Sequence, residues 1–239
     1  LSQQAKQFLR LCKIKGLFVL LRPGPHINSE LTYFGYPERI FKTKDLLSRT
    51  AEGTPAVVTA PPRFFPAPSY ASPLFYDEVG GWFDAVCPII RKHLYPDGPV
   101  VGVQADNEMS LFFRTHPFDQ DYSDAALKLY RDFLRKRHGS ITALCEAYGH
   151  DFPDFSVIPP PREFKAASTD DYPYYLDWLE FKEFLIYYGI KRISDMLRLR
   201  GIEDVFLYHN FAGFPSSPMH VPGAEAAVNV AGADLYCDK

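Results

Sequence analysis

Three short, unbroken apolar runs limit what this sequence can fold into. Residues 17–21 (LFVLL), 100–104 (VVGVQ) and 204–208 (DVFLY) are too short for packed helices and do not alternate apolar with polar. Such runs are expected of strands buried on both faces of a parallel sheet. A fourth strand is expected in ADLYC, residues 233–237. Between these runs the spacing turns helical. Residues 3–14 place Ala5, Phe8, Leu9 and Cys12 on one face, and Gly16 stops them. Residues 76–94 carry Trp82, Phe83, Val86, Ile89 and Ile90, with Pro88 expected to kink or end that helix. Further helices are predicted over 123–137 (Ser123 as cap, Gly139 as stop), over 141–148 between Ser140 and Gly149, and over 174–199 before Gly201.

Strands that alternate with helices imply parallel βα units, which both a doubly wound sheet and a (β/α)8 barrel satisfy. The barrel fits better because three successive strands end in polar groups: Arg22 onward, Asn107-Glu108, and His209-Asn210. Barrel enzymes place their chemistry at the C-terminal ends of strands. No GxGxxG or Walker pattern supports a nucleotide-binding sheet. The expected class is therefore α/β, part of a (β/α)8 TIM barrel, with residues 1–239 as one partial catalytic domain. Within it, 23–75 reads as a long active-site loop region. Six of the 19 residues from 55 to 73 are proline, which excludes regular helix there. A loop of that length in a compact domain is usually functional. The sequence opens without an initiator Met and stops just after the fourth expected strand. An excerpt of a longer protein is expected, and compartment and oligomeric state stay open.

Composition narrows the function. A formal charge of −3 and no dense Lys/Arg stripe give no electrostatic footprint for nucleic acid. No apolar run approaches the roughly 18 residues of a membrane helix. Cys12, Cys87, Cys145 and Cys237 form no CxxC, and His26, His209 and His220 have no metal-ligand spacing, so neither a metal nor another cofactor is expected.

Two stretches carry chemistry. In VQADNE, a carboxylate beside an amide at a barrel mouth suits protonation of a glycosidic oxygen while the amide holds a sugar hydroxyl. The same Asn107-Glu108 pair also fits the start of a helix. In RPGPHINSE, a turn stiffened by Pro23 and Pro25 leads into an amide, a hydroxyl and a carboxylate, Asn28, Ser29 and Glu30. His209 and Asn210 suit pocket lining or packing equally. Trp82 and Trp178, on helical stretches, are expected in the core rather than as sugar platforms. Tyr236 suits substrate contact or strand packing.

GLFVLLRPGPHINSE resembles the GLYVILRPGPYINAE type of segment in glycoside hydrolase family 35, and GPVVGVQADNEMS is similar to that family's GPIIMVQVENEYG. YRDFLRKRHGSITALCEAYG, followed by DFPDFSVIPPP, resembles a stretch of family 42 β-galactosidases. Both families belong to one clan of retaining glycosidases on (β/α)8 barrels, which makes these residues about strands three to six. The resemblance implies that Glu108 is the general acid/base and that Asn107 contacts the sugar 2-hydroxyl. It also implies that Asn28, Ser29 and Glu30 hydrogen-bond galactose hydroxyls. Ser29 replaces the usual Ala, and His26 stands where Tyr is common. The clan's nucleophile, a Glu ending the seventh strand, is expected beyond Lys239, since Glu225 sits in a helix-start context. The carbohydrate partner implied is one with a terminal β-galactose. A carbohydrate-binding barrel without hydrolysis, and an endo-glucanase or mannanase of the clan, are the competing readings.

Overall fold

In the computed structural model, residues 2–27, 31–60, 63–109, 117–212 and 224–234 are described. Helix α1 (Ser2–Ile14) leads into strand β1 (Val19–Leu21). After three 3-10 turns come a hairpin, β2 (Val57–Ala60) and β3 (Arg63–Pro66), helix α2 (Pro73–Ile90) and strand β4 (Val100–Gln104). Helices α3 (Asp124–His138), α4 (Ile141–Tyr148) and α5 (Tyr172–Arg198) follow, then β5 (Phe206–Ala212) and β6 (Val230–Asp234). The main sheet has the order β1-β4-β5-β6, with every neighbouring pair parallel. All four strands therefore end on the same side, with α2 between β1 and β4 and α3 to α5 between β4 and β5.

Local chemistry explains the helix ends. Ser123 Oγ accepts from the Ala126 N–H at 3.3 Å, and Ser140 Oγ accepts from the Ala143 N–H at 3.2 Å. Gly139 and Gly149 close α3 and α4 at φ of 75° and 65°, where a side chain would be strained. Helix α2 opens on Pro73 in its first turn, passes through Pro88 and stops two residues later, giving way to a 3-10 turn, Arg91–His93. The core lies between sheet and helices: Val100, Val103 and Leu207 pack with Phe83 and Cys87 of α2 and with Ile186, Ile190 and Ile193 of α5, all essentially inaccessible. Trp178 is fully buried as expected, stacked on Tyr122 at 5.0 Å. Gly102 makes the pairing of β4 with β5 possible. A Cβ there would stand 2.5 Å from the Phe206 ring, its register partner.

Four expectations change. Residues 17–21 are not buried on both faces: β1 covers only 19–21, and Leu17, Phe18 and Leu20 are 58%, 73% and 57% exposed. The reason is that β1 pairs with β4 alone among the described residues and so forms an edge. The third expected strand is Phe206–Ala212, so His209 and Asn210 lie inside it, carried on by pairing with β6. The fourth is Val230–Asp234, and Tyr236 lies outside the described residues. Residues 23–75, read as loop, hold 3-10 turns and the β2–β3 hairpin over an aromatic cluster of Phe34, Tyr36, Phe65 and Phe75.

Candidate active site

The residues after β1 and β4 meet at the C-terminal end of the sheet. From Ala105 to Glu108 the chain bends sharply without helical structure, and a 3-10 turn begins only at Met109. Asp106 and Glu108 have φ of 62° and 43°, left-handed values uncommon for residues with side chains. Strand β5 staples this turn in place. The Ala105 N–H donates to Tyr208 O at 2.8 Å, and the Glu108 N–H donates to the backbone and side-chain oxygens of Asn210, both at 3.2 Å. His209 closes the turn from below: its Nδ1 lies 2.7 Å from Ala105 O, and its Nε2 accepts from the Met109 N–H at 3.3 Å. That pairing assigns the proton to Nδ1. Burial lowers the His209 pKa to about 4, so the ring is a neutral brace. Of the two roles open to His209, packing is the one it plays.

Asn107 is buried, and its orientation is set by its neighbours. Its Oδ1 accepts from Gln104 Nε2 and from Asn210 Nδ2, each at 3.1 Å. Its Nδ2 is left facing Glu108, 3.4 Å from Oε2, and Glu108 itself is half-buried. Asn210 also donates to Asp234 Oδ2 at 2.7 Å, and Arg22 Nε donates to Gln104 Oε1 at 3.1 Å. Each of the four parallel strands thus sends one polar side chain into a single layer.

Asp106 ties the two site loops together. Its Oδ1 accepts the His26 N–H at 2.7 Å, which holds the Pro23-Gly24-Pro25 turn against the β4 turn. The carboxyl is fully buried. That burial raises its pKa to about 8, against the pull of the His26 and Asn107 amides, so it is neutral near pH 7. The His26 ring is stacked on Phe34 at 4.5 Å and is also buried, which pushes its pKa down to about 3. On the outer side of the same turn, Trp82 Nε1 donates to Pro23 O at 2.7 Å. Trp82 is 41% exposed, so it clamps the turn and is not a core residue.

Glu108 and Asn107 are therefore brought together at the strand ends. Asn28, Ser29 and Glu30 fall outside the described residues, immediately after the held turn. Gln104, Asp106 and Asp234 were not singled out in the sequence, although a Gln closing an apolar strand is itself a signal, because a buried amide needs partners. Among the described residues no His, Cys, Asp or Glu group is arranged to hold a metal ion. A cleft of about 360 Å³ behind Pro25, Tyr36 and Trp82 contains none of these site residues.

The chain is similar to known proteins in sequence and in fold. The chain matches the profile of glycoside hydrolase family 42, described as beta-galactosidase, over residues 42–239. It is 30% identical over 199 residues to an exo-beta-D-glucosaminidase of Pyrococcus horikoshii, covering 80% of this chain and 24% of that protein. It is 30% identical over 134 residues to human beta-galactosidase, covering 56% of this chain and 16% of that protein. The chain thus spans about a quarter or less of these relatives. Among solved structures it is similar to the beta-galactosidase of Marinomonas ef1, with a TM-score of 0.73 at 20% identity, covering 97% of this chain and 33% of that one. The enzyme of Bacillus circulans sp. alkalophilus gives 0.70 at 18% identity, covering 98% and 32%. These likenesses show the fold: the four strands are an arc of a TIM barrel. The segment at 16–30, which carried much of the family 35 resemblance, lies before the matched span, and family 35 is not what the match supports. With 42–239 matched, the chain belongs to glycoside hydrolase family 42.

Proposed function

We propose that this chain builds the acid/base side of a retaining exo-glycosidase acting on terminal β-galactosides, with Glu108 as general acid/base. The observation that carries the reading is the stapled turn. It presents Glu108 at the strand ends next to an amide whose N–H2 faces the same space. In the first step Glu108 gives its proton to the leaving glycosidic oxygen. In the second it takes a proton from the water that hydrolyses the glycosyl-enzyme ester. The nucleophile of that ester is assigned to no residue of 1–239.

The orientation of Asn107 favours a hydroxyl at sugar position 2. Its oxygen is already occupied by two donors, so it offers the sugar a donor. A hydroxyl can accept that bond, whereas an ammonium would set donor against donor. Asn28, Ser29 and Glu30, delivered by the turn that Asp106 and Trp82 hold, are assigned to the remaining galactose hydroxyls. A turn fixed in advance spares the ordering cost on each binding event.

The test is Glu108→Gln in the complete protein. Hydrolysis of an unactivated β-galactoside should fall about 10²–10⁴-fold. Aryl galactosides with very good leaving groups should lose less in the first step, and azide should restore turnover. Hydrolysis at the parent rate would remove Glu108 from the acid/base role, whereas a parent protein that binds but does not hydrolyse the galactoside would favour a carbohydrate-binding function.

A further inference from the structure

The side chains that join the four strands form a directed chain of hydrogen bonds with a charge at each end. Arg22, after β1, can only donate, and it donates to Gln104 Oε1 at 3.1 Å. With its oxygen held by Arg22, the Gln104 amide turns Nε2 toward β5, where it donates to Asn210 Oδ1 at 2.5 Å, and toward the turn after β4, where it donates to Asp106 O at 2.8 Å and Asn107 Oδ1 at 3.1 Å. Asn210 must then present Nδ2 on its other side, and there it meets Asp234 Oδ2 at 2.7 Å. The Asp234 carboxylate, ending β6, can only accept. The Glu108 N–H reinforces the same direction by donating to Asn210 Oδ1. Reversing the Asn210 amide would set its N–H2 against the Gln104 amide and the Glu108 N–H, and its oxygen against the carboxylate. Reversing Gln104 would set N–H2 against the guanidinium.

We infer that Arg22 and Asp234 are positioning residues, fixing from the two ends of this chain which face of the Asn107 amide the substrate meets. Neither need touch the sugar. Their charges act with the Asp106 carbonyl and the Glu108 N–H to set the polarity of three amides, and the last of these, Asn107, is the one that reaches the reaction centre. The inference rests on the proposed role of Asn107 at the sugar 2-hydroxyl, and it adds what makes that role possible. In a buried layer, an amide whose two ends were interchangeable would present acceptor and donor by turns.

Two measurements on the complete protein separate this from simple structural support. The first compares a 4-nitrophenyl β-galactoside with its 2-deoxy analogue. Arg22→Met and Asp234→Leu, which remove the terminal donor and acceptor, should lower kcat/KM on the galactoside about tenfold or more, the scale of one lost hydrogen bond to the transition state. The 2-deoxy analogue lacks the contact and should lose much less. Arg22→Lys and Asp234→Asn, which can still donate and accept, should recover most of the difference. Equal losses on both sugars would overturn the positioning role.

The second measurement needs no activity. Arg22 and Asp234 stand three strand spacings apart, roughly 14 Å, a separation at which effects on stability normally add. If one chain of bonds joins them, the Tm drop of the double variant should fall short of the sum of the single drops by about 2 °C or more. Additive drops would overturn the chain itself. If the parent protein does not discriminate the two sugars, the reading of Asn107 fails, and the melting experiment still decides whether the chain exists.

Discussion

Replacing Asp106 with Asn should change how stability depends on pH, and the size of the change follows from the site. The Asp106 carboxyl is fully buried and has a pKa near 8, against 3.8 for an exposed Asp. Between those values the folded protein keeps a proton that the unfolded chain has released. Stability therefore falls as pH rises, by about 1.4 kcal/mol per pH unit. Below pH 3.8 both states hold the proton and nothing is lost. Above about pH 8 both have released it and the fall ends. Asn cannot ionise, yet it keeps the oxygen that accepts the His26 N–H. Relative to the parent, the variant should gain about 2.7 kcal/mol between pH 5 and pH 7.

The comparison must be made as a difference, because the two buried histidines slope the other way. His26 and His209 have pKa values lowered to about 3 and about 4, so up to about pH 6.5 the unfolded chain binds protons that the folded protein does not. Their contribution rises with pH and is common to parent and variant, so it cancels. Lys182 adds nothing in this window, since its pKa of about 7 leaves it charged in both states below that pH. Urea unfolding of the complete protein at pH 5, 6 and 7 supplies the three differences. A gap between variant and parent that stays constant across the series would show that Asp106 is ionised in the folded protein. The neutral latch between the two loops would then be wrong.

Other perturbations read other parts of the structure. Lys182→Met removes an amine held neutral by burial above about pH 7, so relative to the parent the variant should lose about 1.4 kcal/mol of stability per pH unit from there to pH 10.5 in denaturation curves. Gly102→Ala places a methyl 2.5 Å from the Phe206 ring and should cost about 1–3 kcal/mol by forcing β4 and β5 apart. A variant as stable as the parent would refute that close approach. Residues 1–239 expressed alone should self-associate in sedimentation experiments, because Leu17, Phe18 and Leu20 are exposed along the β1 edge. A monodisperse monomer would contradict it.

The fold was legible where local chemistry decides it. Helix α4 begins after Ser140 and ends before Gly149 because a serine cap and a left-handed glycine act within one turn of chain. Strand limits were less legible because partners far along the chain set them. β5 runs on through His209 and Asn210 to Ala212 only because Tyr208 through Ala212 pair with Val230 through Asp234. The β2–β3 hairpin was missed because the prolines that exclude helix do not exclude a two-stranded ribbon. Pro66 stands at its end, where no ladder hydrogen bond is forfeited. β1 was read as doubly buried because an apolar run does not reveal whether a second partner strand lies beside it.

The candidate site divides along the same line. Glu108 and Asn107 stood out because their types and adjacency suit one chemistry, but what fixes them comes from 80 to 106 residues away. Gln104 meets Arg22 across 82 residues and Asn210 across 106, and Asp106 meets His26 across 80. Spacing in the sequence carries no trace of such contacts. One signal does survive in the residue types. VVGVQ ends in an amide, and FLYHNFA carries another at its centre, each within a strand otherwise made for burial. An amide there is costly unless it finds a partner of matching polarity. Two such strands lying side by side and parallel can satisfy each other, and here Gln104, level with Tyr208, reaches Asn210 two residues further along β5. The polar residue that looks misplaced at the end of an apolar strand is thus where a sequence shows which strands share a site.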